Sequence, residues 1–112
     1  MFLVSENETE SVNTDLCLGF KVKNNATYTG DPDARWVVEA ITKNSTVILF
    51  TTCCEVEAKA MHEVIINRIN RKDSTVNWIT GLIFSEDFIK SVRENENTIK
   101  NLCDIDALNN DE

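Results

Sequence analysis

From residue 15 to residue 23, Leu16, Leu18, Phe20 and Val22 are apolar while Asp15, Gly19, Lys21 and Lys23 are not. This period of two is that of a strand with one face packed inward. A shorter apolar run, Phe2-Leu3-Val4, closed by polar residues 5–11, reads as another strand. Residues 24–34 contain the only proline, within Gly30-Asp31-Pro32-Asp33, and predict a loop. Residues 35–42 and 46–51 are rich in tryptophan and β-branched side chains, and Lys43-Asn44-Ser45 between them predicts a hairpin turn. The unbroken run Val47-Ile48-Leu49-Phe50 predicts a central strand covered on both faces.

The period then changes. Thr52-Cys53-Cys54-Glu55 matches a capping box in which the Thr52 hydroxyl and the Glu55 carboxylate satisfy free amides at a helix start. Ala58, Met61, Ile65 and Ile69, flanked by Val64, recur at three- and four-residue spacing, and Arg68, Arg71 and Lys72 lie where the helix dipole favours cations. A helix over 53–70 follows. Residues 75–84 fit either an alternating strand through Val76, Trp78 and Thr80 or the approach to a helix through Leu82-Ile83-Phe84; the strand is adopted. Ser85 is a helix N-cap, with Glu86 and Asp87 in the first turn and Phe88, Ile89, Val92, Ile99, Leu102 and Cys103 at helical spacing. Polar residues 93–97 interrupt that stripe and predict a bend or stop, and residues 104–112 predict a frayed acidic tail. The expected fold is one α+β domain over 1–112: an antiparallel sheet of four or five strands packed by one main helix, plus a C-terminal helix.

Composition narrows what this fold is for. At 112 residues the chain is long enough for one core without crosslinks. It holds no apolar run near the about 20 residues that span a bilayer and no signal-peptide pattern, so the expectation is a cytoplasmic protein with no membrane partner. Net charge is −8, with 6 acids against 2 bases over 1–34, 5 against 6 over 35–74 and 8 against 3 over 75–112. A surface of that sign repels phosphate backbones, which excludes direct nucleic-acid binding and favours a basic protein partner.

Candidate chemistry is sparse. Cys17, Cys53, Cys54 and Cys103 are read as free thiols in a reducing compartment. Cys53 and Cys54 open a helix, where a thiolate is favoured, but the only histidine, His62, lies nine residues beyond Cys53, about 13 Å along the axis and out of reach as a base. No C-x-x-C occurs, and position 66, where a second zinc-binding histidine would follow His62-Glu63, is Ile66. Trp36 and Trp78 are read as core residues, the alternatives being stacking on bases or anchoring an interface. No catalytic residue, metal ligand or cofactor is therefore assigned.

The succession of Met1-Phe2-Leu3-Val4, the strand over 16–22, the strand over 47–52 and the helix from Cys53 resembles small proteins encoded by phages and mobile elements of Gram-positive bacteria. The likeness covers residues 1–72. In length, charge and lack of catalytic parts the chain is similar to the anti-CRISPR inhibitors among them. That resemblance implies a non-catalytic inhibitor whose acidic surface occupies a basic cleft on a nucleic-acid-handling enzyme, such as a CRISPR nuclease, in the host cytoplasm. The carboxylates nominated for that contact are Glu86, Asp87, Glu94, Glu96, Asp104 and Asp106. The alternatives are a structural protein that self-associates through a sheet edge or apolar patch, and a thiol-dependent enzyme or redox sensor. Both monomer and homodimer remain open.

Overall fold

The computed structural model describes residues 1–25, 35–72 and 76–97. The predicted loop at 30–33, the helical positions Ile99, Leu102 and Cys103, and the acidic tail lie outside them. Six strands are present among the described residues: β1 (Phe2–Val4), β2 (Ser11–Asn13), β3 (Cys17–Asn24), β4 (Trp36–Thr42), β5 (Thr46–Thr52) and β6 (Val76–Trp78). Three α-helices accompany them: α1 (Glu55–Asn70), α2 (Ile79–Leu82) and α3 (residues 86–97). The fold is α+β.

The strands form two sheets of three, ordered β2-β1-β6 and β3-β4-β5, in place of the single sheet of four or five read from the sequence. In the first, β1 pairs antiparallel with β2 and parallel with β6. The second is antiparallel throughout. Why the N-terminal strand does not extend the second sheet is visible at β5. The backbone N–H of Glu6 donates to the Leu49 carbonyl at 2.8 Å, and the Glu6 carboxylate accepts from the Thr51 hydroxyl at 3.1 Å and the Thr51 N–H at 3.4 Å. One residue, through its backbone N–H and its carboxylate, occupies the edge at which a further strand would pair.

Bulges break the sequence period at two places. The β3–β4 register slips between Cys17 and Gly19, leaving Leu18 as an extra residue, and the β4–β5 register slips so that Val38 opposes Phe50 while Glu39 opposes Ile48, leaving Leu49 extra. A bulge re-aims the side chains on either side of it. Leu49 and Phe50 are consequently both buried, whereas Leu18 is 75% exposed. The apolar run at 47–50 thus belongs to an edge strand. The central strand is β4, in which Val37, Val38, Glu39 and Ala40 are all buried. At the start of the expected 15–23 strand, residues 14–16 instead form a 3-10 turn capped by Asn13, whose side chain accepts the Asp15 N–H at 3.0 Å.

The long helix forms where its apolar stripe predicts. Ala58, Met61, Val64 and Ile65 are buried against Val38, Ala40, Leu49 and Phe50, and Leu3, Val12, Ile79, Leu82 and Phe88 complete the same core. Its start differs from the expected capping box. The Thr52 hydroxyl accepts the Cys54 N–H at 3.2 Å but donates to Glu57 at 2.6 Å, and Glu55 instead pairs with Lys59 at 2.7 Å. The ambiguous stretch resolves into both readings in turn: β6 is a strand and α2 a single helical turn. Ser85 caps α3 as expected, its hydroxyl accepting the Phe88 N–H at 3.2 Å. The helix then continues through polar residues 93–97, where a bend or stop was predicted. Those residues stay helical because part of the α1–α3 contact is itself polar: Ser91 donates to Glu63 at 2.7 Å, and the Asn95 amide donates to the same carboxylate at 3.4 Å. Phe50 and Phe88 meet edge to face at 6.3 Å and tie α3 to the second sheet.

Candidate functional site

Of the carboxylates nominated from sequence, Glu86, Glu94 and Glu96 are exposed on α3. With about 100° between successive residues, Glu94 and Glu96 fall about 80° to either side of Glu86, with Lys90 and Arg93 between them. The helix therefore presents carboxylates on three sides, interleaved with cations. Asp87 has a different occupation. Its carboxylate lies 3.4 Å from Arg68 and 3.5 Å from Arg71, latching α3 to the end of α1. Asp104 and Asp106 lie outside the described residues. A cleft of about 130 Å³ between α1 and α3 is lined by Glu63, Asp87 and Glu94 against Arg71 and Lys90, a mixture of signs that selects neither anion nor cation.

Among the described residues the single histidine is engaged by a main-chain carbonyl and not by a thiol. The only histidine, His62, sits on α1 with Nε2 3.2 Å from the Phe20 carbonyl; a carbonyl only accepts, so this nitrogen carries the proton and the ring holds α1 against β3. Cys53 is exposed and Cys54 half-buried at the head of α1. Cys17 packs against the core, its S–H donating to the Asn13 carbonyl at 3.4 Å, and burial pushes its thiol above the ordinary range. Among the described residues no three of His, Cys, Asp and Glu come together in a way that could hold a metal ion. None of their helices is long and apolar enough to cross a membrane.

What the sequence reading missed is exposed apolar surface. Trp36 packs against the core as expected, but Trp78 does not. In the first sheet Leu3, Val12 and Asn77 point inward and are buried, so the opposite face carries Phe2, Val4, Ser11, Asn13, Val76 and Trp78. On that face Phe2 is 44%, Val76 54% and Trp78 48% exposed. Beside it, Leu16 and Leu18 line a groove of about 640 Å³ together with Val12, Val47, Ser11 and Asn13. The period of two at 2–4 and 76–78 is a signal for one face; that this face lies open depends on which strands pair, which local sequence does not encode. No family model, curated protein or solved structure matches the chain.

Proposed function

We propose that this chain is a non-catalytic protein-binding inhibitor whose acidic surface occupies a basic cleft on a nucleic-acid-handling enzyme, a CRISPR nuclease being the first candidate. The observation that carries this reading is the outward placement of Glu86, Glu94 and Glu96 on a helix anchored at its base, in a chain of net charge −8. Anchoring matters because carboxylates on a fixed helix keep their spacing when they meet a partner, which lowers the ordering cost of binding. The cations between them narrow the choice of partner, since an indiscriminate polyanion would carry none.

The reading also rests on how the reactive side chains are occupied. His62 is committed to a main-chain carbonyl, Asp87 to two arginines and Glu63 to Ser91. Surface charge on α3 acts on encounter rate and partner choice more than on final affinity.

Cleavage of target DNA by a panel of CRISPR nucleases, with the protein added before the guide-loaded enzyme meets DNA, tests the proposal. The expected result is inhibition that weakens as salt rises and is reduced by the combined Glu86→Lys, Glu94→Lys and Glu96→Lys substitutions. Unaltered cleavage across the panel at low salt would remove the nuclease reading. Inhibition indifferent to those three substitutions would remove the carboxylates from it.

A further inference from the structure

The outward face of the first sheet carries no charge, in a chain of which 27% is charged. Its two rows, read across the sheet from β2 to β6, are Asn13-Phe2-Val76 and Ser11-Val4-Trp78. Bulk is unevenly placed: Trp78 stands at the β6 edge, and the small Ser11 is opposite it at the β2 edge. The groove of about 640 Å³ opens at the β2 edge, next to Ser11 and Asn13, and its apolar walls include Leu16 and Leu18, 72% and 75% exposed. The second of these leucines faces outward because of the bulge in β3.

We propose that this face is a homodimer interface, in which two copies pack sheet to sheet about a twofold axis parallel to the strands and each Trp78 seats in the groove beside the other copy's Ser11. Such an axis exchanges the β2 and β6 edges while leaving the rows in place, so Phe2 meets Phe2, Val4 meets Val4, and the bulky edge of each copy meets the small edge and groove of the other. A self-complementary patch of this kind is what an isologous contact requires. Charge selects the same occupant. A basic partner needs carboxylates to pair with, and this face offers none; two copies, each strongly acidic, come together with least repulsion where neither presents an ion. Among the described residues, the charged ones lining the groove are Asp15 and Lys43, which oppose each other in sign.

The outer strands of a three-stranded sheet lie roughly 10 Å apart, so the face alone falls short of the about 800 Å² per partner of a standard stable interface. Seating Trp78, already half-buried, in the groove adds at most about half of the roughly 150–250 Å² that a whole tryptophan buries, so the contact stays below that size. A weak, reversible dimer follows. Since α3 lies outside this contact, the proposal does not depend on the basic-partner reading and leaves Glu86, Glu94 and Glu96 accessible in the dimer.

Sedimentation velocity of the full chain over a range of concentrations, at low and high salt, is the test. The expected result is a monomer–dimer equilibrium that tightens as salt rises, because screening relieves repulsion between like-charged copies. Trp78→Lys and Leu18→Glu each weaken it by about tenfold or more, as removal of a central anchor does. Both positions are exposed, and circular dichroism checks that each variant is folded. Mixing the two variants restores association, because the new charges then meet with opposite sign across one of the two equivalent contacts. A wild-type chain that stays monomeric throughout, a dimer insensitive to either substitution, or a mixture no more associated than its components would each overturn the proposal.

Discussion

Thr52 Oγ1 takes the amide proton of Cys54 and gives its own to Glu57, so one hydroxyl fixes the turn from β5 into α1 from both sides. Removing it in Thr52→Ala leaves both groups without that partner and is expected to lower stability by about 1 kcal/mol, whereas Thr52→Ser keeps most of the effect. Urea unfolding of the two variants side by side measures this, and equal losses would deny the hydroxyl its role. The thiols separate just as clearly. Cys53 is exposed, while Cys17 is packed against the core with its S–H donated to a carbonyl and its pKa raised by burial. Because the thiolate is the species that reacts, limiting alkylation followed by mass spectrometry should label Cys53 first, with Cys17 following only at higher pH. The same shift has a sign for stability. The unfolded chain ionises this thiol before the folded one does, so the contribution of a neutral Cys17 is intact at neutral pH and is lost as pH rises through the raised value.

Elements divide into those that sequence announces and those that it does not. The stripe Ala58, Met61, Val64 and Ile65 and the cap at Ser85 declared two helices, because helical period and capping chemistry are local properties. The partition of six strands between two sheets was not legible. Alternation tells which face of a strand is buried, but not which strand lies beside it. Nor were the bulges at Leu18 and Leu49 legible, since each is defined by a partner strand's register. The candidate carboxylates show the same boundary. Exposure of Glu86, Glu94 and Glu96 followed from an acidic helix surface, whereas the engagement of Asp87 with Arg68 and Arg71 depends on how α1 and α3 pack. Asp87→Asn is expected to cost up to about 1 kcal/mol in low salt and almost nothing in high salt, as for other partly exposed ion pairs. Thermal melts at two ionic strengths measure it. A loss unchanged by salt would mean that the aspartate holds α3 by something other than charge.

At the scale of the whole molecule, two surfaces call for opposite responses to salt. The proposed docking of the α3 carboxylates on a basic cleft would weaken as ions screen it, and the proposed pairing through the uncharged sheet face would strengthen. One titration with both readouts therefore separates the two contacts without a mutation. The strand edge closed by Glu6 carries a different consequence. Residues 46–52, Thr-Val-Ile-Leu-Phe-Thr-Thr, contain no charge, proline or glycine, the composition of a segment that stacks into cross-β fibrils once its edge is free. Glu6 is therefore expected to act as a gatekeeper against polymerisation. In Glu6→Ala, which keeps the main-chain bond to Leu49 but loses both contacts to Thr51, agitation should produce thioflavin-positive fibrils after a shorter lag than in the parent chain, seeded from the edge so loosened.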